Sequence, residues 1–384
     1  MIPYGRQNIS EADIDAVAAV LRSDFLTQGP AVPRFEEIVA ARVGARHALA
    51  MNSATSALHV ACLALGLGPG DLLWTSPITF VASSNSALYC GADVDFVDIE
   101  PDTCNMSVAA LEEKLGAARA SGRLPKVVMP VHFAGEPCDM AAIARLADEY
   151  GFRVIEDASH AIGSVCRGSP VGACAHSDIT VFSFHPVKIV TTAEGGLATT
   201  NDPVLAQRMG LLRSHGITRD PALMDGPSDG AWYYQQVALG FNYRMTDMAA
   251  ALGASQMERL DAFVERRHER AARYDRLLAP LPVLLPARDA ASRSALHLYA
   301  VRLKDAPAQK RRAVFDHMRQ AGVGVNVHYI PVHLQPHYRA LGFRPGQFPV
   351  AEAYYRQAIT LPLFPDLSDD DQDSVVAALA EALA

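Results

Sequence analysis

Short apolar runs alternate with helical periodicity along the first half of the chain. Apolar runs at 48–51, 72–75, 93–97, 126–131, 153–156, 179–183 and 196–200 have the length of strands. Stretches at 57–67, 81–90, 108–120, 140–150 and 203–214 carry helical spacing between them. Mostly apolar runs separated by helices predict an α/β fold with a mostly parallel sheet covered by helices on both faces. The crossovers are then right-handed. Ahead of the sheet, 10–22 reads as a helix capped by Ser10, with Glu11 and Asp13 in its first turn. Thr27-Gln28-Gly29-Pro30 breaks the pattern, and 33–43 reads as a second helix.

The pattern changes near residue 245. Residues 245–278 read as one long helix, whole or broken, and Pro280-Leu281-Pro282 with Pro286 marks a boundary. Beyond it, 298–303 and 323–327 are strand-like, and 308–321 and 350–359 are helix-like. Asp369-Asp370-Asp371 reads as a helix start. The expected division is a large domain with an N-terminal arm over 1–245, a connecting helix over 246–279 and a smaller C-terminal α/β domain over 280–384.

Composition narrows the function classes. Half of the 384 residues are hydrophobic, enough for a large core, and the net charge is −8. Without basic blocks, nucleic acid and anionic membrane surfaces are not expected partners. Arg266-Arg267-His268-Glu269-Arg270 reads as an exposed helix face. No apolar run reaches membrane length, and Met1-Ile2-Pro3-Tyr4-Gly5-Arg6 lacks a signal-peptide pattern. The six cysteines form no C-x-x-C pair and suit reduced thiols in a cytoplasmic protein. The histidines of Val327–His333 lack zinc spacing, so no metal is expected.

A few segments carry candidate chemistry. Asn52-Ser53-Ala54-Thr55-Ser56 opens a helix directly after a strand, which makes an anion site or an ordinary N-cap. Asp157 ends an apolar strand, where it faces a ligand crevice or simply caps. His160 braces a ligand or caps a turn. Phe80 stacks on a ring or fills the core. Lys188 lies in an apolar loop before Thr191-Thr192-Ala193-Glu194-Gly195-Gly196, and the paired glycines imply close backbone approach. Desolvation lowers a lysine pKa, and only the neutral amine condenses with an aldehyde. A lysine of this kind with an aspartate from an earlier strand suits pyridoxal phosphate. The lysine forms a Schiff base, and the aspartate keeps the pyridine nitrogen protonated.

Together these segments resemble the DegT/DnrJ/EryC1/StrS sugar aminotransferase family of fold-type I pyridoxal phosphate enzymes. The resemblance runs from Tyr4 to about Pro365. It rests on Leu26-Thr27-Gln28-Gly29, Asn52–Leu58, Glu156-Asp157-Ala158-Ser159-His160-Ala161, the 183–196 lysine loop and Asn242-Tyr243-Arg244-Met245. It implies that Lys188 bonds the cofactor and that Asp157 pairs with the ring nitrogen. His160 lies near the ring hydroxyl. The Ala54 and Thr55 amides with the Ser183 hydroxyl hold the phosphate, and Phe80 stacks. Asn242 reaches the cofactor of a neighbouring subunit, giving a homodimer with shared active sites.

Within the family, the motifs are most similar to transaminases that form UDP-4-amino-4,6-dideoxy-N-acetyl-β-L-altrosamine for pseudaminic acid and related glycans. That implies amino transfer from L-glutamate to C4 of a UDP-4-keto-6-deoxy-N-acetyl sugar, UDP-2-acetamido-2,6-dideoxy-β-L-arabino-hexos-4-ulose. Tyr4, Asp24, Phe25, Leu26, Thr27, His328, Tyr329, Ile330 and Pro331 would line the nucleotide-sugar site. Bacillosamine-, perosamine- and dTDP-sugar-type 4- or 3-aminotransferases share the cofactor motifs. A pyridoxal-phosphate-binding regulator is a further alternative. The family's dehydratases carry histidine in place of the lysine, and Lys188 argues against that class.

Overall fold

The computed structural model describes residues 1–304 and 308–384. Its centre is a seven-stranded sheet. From edge to edge the strands are His47–Met51, Gly196–Thr200, Ile179–Ser183, Arg153–Asp157, Val127–Met129, Leu72–Thr75 and Asp93–Phe96. Gly196–Thr200 runs against both of its neighbours, and the other pairings are parallel.

Side chains alternate between two covered faces, as strand geometry dictates. Ile179 and Val181 join a core with Leu58, Leu73 and Met129, while Phe182 packs with Phe35, Val190 and Leu260 on the other side. Trp74 and Val128 face a further cluster with Leu111 and Ile143. Among the described residues no helix is long and apolar enough to cross a membrane.

A second sheet, Val283–Leu284, Tyr299–Leu303 and Ala358–Leu361, is antiparallel. Tyr299, Val301, Ile359 and Leu361 build a separate core with Tyr274 and Leu278 from the helix Leu260–Leu278 and Val375 and Leu379 from the helix Asp369–Leu383.

The capping signals held. Ser10 and Asp13 form a reciprocal capping box, and Ser368 caps the triple-aspartate start. Elsewhere tertiary context moved the boundaries. The helix expected from 57 begins at Ala54 and ends at Ala64, because the Ser53 hydroxyl accepts the Ser56 amide and starts it early. The stretch 245–278 is two helices, Asp247–Met257 and Leu260–Leu278. The helix expected over 350–359 stops at Gln357, and Ala358-Ile359-Thr360-Leu361 pairs with Tyr299–Arg302 as a fully buried strand. The strand expected at 323–327 makes only isolated bridges, Val323 to Ile2 and Asn326 to Thr360.

Arg267 overturns the reading of 266–270 as a wholly exposed face. It is buried and donates to the carbonyls of Leu296, His297 and Leu363, at 3.3, 3.3 and 3.0 Å. Burial brings its guanidinium down to about 10. No charge period distinguishes such an arginine from its exposed neighbours.

Candidate active site

The carboxyl ends of the parallel strands open on a cavity of about 670 Å³, the position expected for ligands of open α/β sheets. One wall is the start of the helix Ala54–Ala64. Ser53 caps it through the Ser56 amide, and the Ser56 hydroxyl bonds Asn52 at 2.7 Å. The Ala54 and Thr55 amides take no partner among the described residues. Free amides at a helix N-terminus form an anion site. The strand beginning at Gly196 crosses directly beneath: a Cβ there would lie 2.4 Å from the Ala54 nitrogen and the Ser53 carbonyl. Gly195 is crowded instead by the side chains of Thr192 and Met245. The paired glycines are therefore what lets the lysine loop return against the helix end.

Asp157 closes the strand Arg153–Asp157 and is buried. Its carboxylate accepts the Ser83 hydroxyl at 2.7 Å and the Ser159 amide at 3.1 Å. Ser83 is in turn bonded to Thr79 at 2.7 Å. Lys188 lines the same cavity. Burial pulls its amine down to about 8, against the opposing charge of Asp157. Phe80 lines the cavity while remaining exposed at the rim.

The far wall is aromatic. His160 is stacked with Tyr329 at 6.1 Å between ring centres and lies 4.4 Å from His297. His328 bonds Thr360 at 2.9 Å, and burial with Lys188 nearby drives its ring down to about 3. Tyr4 packs on His328 at 5.6 Å, carried there by an N-terminal arm whose Ile2 pairs with Val323.

The cavity thus brings together Ala54, Thr55, Phe80, Asp157, His160, Ser183 and Lys188 with Tyr4, His328, Tyr329 and Ile330. It does not include Asn242, Asp24, Phe25, Leu26, Thr27 or Pro331. Asn242 is exposed and bridges Ser214. Asp24 to Thr27 are exposed, with Thr27 bridged to Thr246. Pro331 is buried behind the wall, at the start of the turn Val332–Leu334. Sequence reading missed Ser83, His297 and Gln335. The Thr79 and Ser83 hydroxyls, one helical turn apart, are a usable signal for the first. His297 and Gln335 carry no spacing that sets them apart.

Known proteins resemble the chain over nearly its whole length. The DegT/DnrJ/EryC1/StrS aminotransferase family matches residues 7–380. The chain is 38% identical to the spore coat polysaccharide biosynthesis protein SpsC of Bacillus subtilis, over 99% of this chain and 96% of that one. It is 36% identical to the UDP-4-amino-4,6-dideoxy-N-acetyl-beta-L-altrosamine transaminase of Campylobacter jejuni, over 97% of this chain and 94% of the relative. Among solved structures, the putative sugar aminotransferase Spr1654 of Streptococcus pneumoniae superposes in its PMP form with a TM-score of 0.92 at 31% identity, covering 100% of this chain and 99% of that one. Its PLP form superposes with a TM-score of 0.91, covering 99% and 98%. A parallel sheet, a strand-end aspartate, a desolvated lysine and a near end-to-end match converge: the chain belongs to the DegT/DnrJ/EryC1/StrS aminotransferase family.

Proposed function

We propose that the cavity transfers an amino group from L-glutamate to C4 of a UDP-4-keto-6-deoxy-N-acetyl sugar, with pyridoxal 5′-phosphate as cofactor. The carrying observation is that a desolvated lysine, a buried aspartate and a free helix N-terminus share one cavity. That donor set fits a phosphorylated pyridine aldehyde: amides for the phosphate, a carboxylate for the ring nitrogen and an amine for the aldehyde.

When bound, the cofactor supplies the electrophilic carbon and an electron-accepting ring. The chain does the rest. Lys188, partly neutral near pH 7, would hold the aldehyde until the donor's amine replaces it, and the freed lysine amine would then move a proton at the donor's Cα as base and acid. Asp157 retains a proton on the ring nitrogen, and the Ser83 and Ser159 bonds keep its carboxylate aimed. The Ala54 and Thr55 amides, with Ser183, hold the phosphate. Phe80 covers the ring. Tyr4, His328, Tyr329 and Ile330 face the sugar side.

Asn242 and the segment 24–27, exposed and outside their own cavity, complete the site of a second copy. Support comes from the exposed apolar side chains of Phe25, Leu26, Trp232, Tyr234 and Leu239. The reading keeps the enzyme cytoplasmic, and all six cysteines are free. The substrate follows the Campylobacter transaminase. The second reading is another nucleotide-sugar 4- or 3-aminotransferase, in keeping with the similarity to SpsC, a spore coat polysaccharide biosynthesis protein. The test is incubation with L-glutamate and a panel of UDP- and dTDP-linked 4-keto sugars, with mass spectrometry of the products. A 4-amino product from the UDP-N-acetyl substrate is expected. Turnover confined to dTDP sugars would replace that substrate, and no turnover of any sugar would reject the reading.

A further inference from the structure

The turn Phe133–Gly135 lies against the back of the cavity and its shape is backbone-driven. Ala134 has a positive φ of 57°, and its carbonyl accepts the His297 amide at 2.8 Å. Gly135 has φ 95°, and a Cβ there would lie 2.9 Å from the His160 carbonyl and 3.0 Å from the Leu296 nitrogen. The turn is therefore wedged between the 157–160 strand end and the 294–298 segment. Its Ala134 N–H donates to His160 Nδ1 at 3.2 Å.

That one bond decides a proton position. A backbone N–H can only donate, so His160 Nδ1 must present a lone pair. The neutral ring then carries its hydrogen on Nε2, which lies 3.0 Å from the Tyr329 hydroxyl. Flipping the ring would turn carbon toward both partners and lose both bonds. Charging the ring would set an Nδ1–H against the Ala134 N–H. Burial beside Lys188 and His328 opposes the charge as well, holding His160 well below the ordinary histidine value.

Tyr329 therefore accepts from His160, and its own O–H has no acceptor among the described residues. Its ring is held by Phe133 at 6.4 Å, Phe80 at 6.5 Å and His328 at 4.9 Å, so the hydroxyl cannot wander. Burial and the charge of Asp157 keep the phenol protonated.

We propose that His160 is a positioning residue: the Ala134 amide fixes its tautomer, and its Nε2–H turns Tyr329 so that the phenol offers its proton to an oxygen of the ligand bound in the cavity. The tautomer stands on this structure alone; the ligand oxygen rests on the proposed function. That oxygen belongs either to the cofactor ring or to the sugar, and the experiment separates the two.

The first measurement is nitrogen-15 NMR of histidine-labelled chain without cofactor, with the His160 signal assigned by its loss in His160→Gln. A neutral Nε2–H ring from pH 6 to 9 is expected, with Lys188, His297, His328 and Tyr329 the titratable groups that face it. An Nδ1–H tautomer, or titration within that range, would overturn the proposal without any bearing on the reaction. The second uses variants. Tyr329→Phe should weaken either pyridoxal phosphate binding, if the ring oxygen is the acceptor, or raise KM for the sugar at unchanged cofactor affinity, by about tenfold in either case. No change in either quantity would reject the proposal. His160→Leu should lose a similar factor, and His160→Gln should restore most of it, because an amide both accepts from Ala134 and donates to Tyr329. The double variant His160→Leu/Tyr329→Phe should lose no more than either single one. Additive losses would show that the two side chains act independently, against the proposal.

Discussion

Lys188 is a lysine displaced from its ordinary titration range by its surroundings. With its amine at about 8, the protonated fraction falls through the mildly alkaline range. Reductive trapping of Lys188 by an aldehyde in cofactor-free protein should therefore rise with a midpoint near pH 8, measured by peptide mass spectrometry. A midpoint at the ordinary lysine value would contradict the burial argument. The sign for stability follows. The folded value lies below the unfolded one, so the unfolded chain binds the extra proton between about 8 and the ordinary value. Cofactor-free stability should then rise with pH across that window. The rise should be larger in wild type than in Lys188→Met, by chemical denaturation at each pH. Asp157 works through its charge. Asp157→Asn should cut transamination by several orders of magnitude. Ser83→Ala, which removes the 2.7 Å bond to Asp157 together with the Ser83 bonds to Thr79 and the Phe80 carbonyl, should cost about tenfold in kcat with the fold intact. Equal losses would make Ser83 more than a support. Lys188 and Asp157 were legible in the sequence because a strand end and a glycine-flanked loop are local patterns. Ala134 and His297 were not, because a backbone turn and long-range packing bring them to His160 and no spacing records either.

At the scale of elements, the close passage of the 196–200 strand under the 54–64 helix sets the cavity floor. Gly196→Ala would drive a methyl into the Ala54 and Ser53 backbone, where no flexible side chain can yield. A loss of about 1–3 kcal/mol is expected from such overpacking. Pyridoxal phosphate affinity should fall at least tenfold, because the amides that move are those facing the phosphate. Denaturation and a cofactor titration check the two parts separately, and unchanged affinity would detach the floor from the phosphate site. The alternation of strand and helix was readable because burial on both faces leaves mostly apolar runs. The 350–361 region was not. Tyr354 faces a core at helical spacing, and only pairing with Tyr299–Arg302 decides where the helix gives way to strand.

At the scale of the molecule, the site is proposed to be completed by a second copy. Lys188 would serve its own cofactor, while Asn242 would serve its partner's. Refolding Lys188→Ala chains mixed with Asn242→Ala chains should then restore activity beyond that of Asn242→Ala alone, through heterodimers with one site free of both lesions. No gain on mixing, or full activity in a monomer by light scattering, would show that each chain holds a complete site. The partner-site role proposed for Asn242 rests on its motif, since within one chain it bridges Ser214.

The cavity draws its walls from residues as far apart in the chain as Tyr4, Ala54, Asp157, Lys188 and Tyr329. Whatever fills it acts as a removable clamp between the end of the central sheet, the N-terminal arm and the 326–330 segment. By mass action, a ligand that binds only the folded chain adds about 2.7 kcal/mol at a hundredfold excess over its Kd. Calorimetry should show a melting temperature that climbs with the logarithm of pyridoxal phosphate concentration. Supply of the cofactor would then set not only how much enzyme works but how long each chain survives proteolysis.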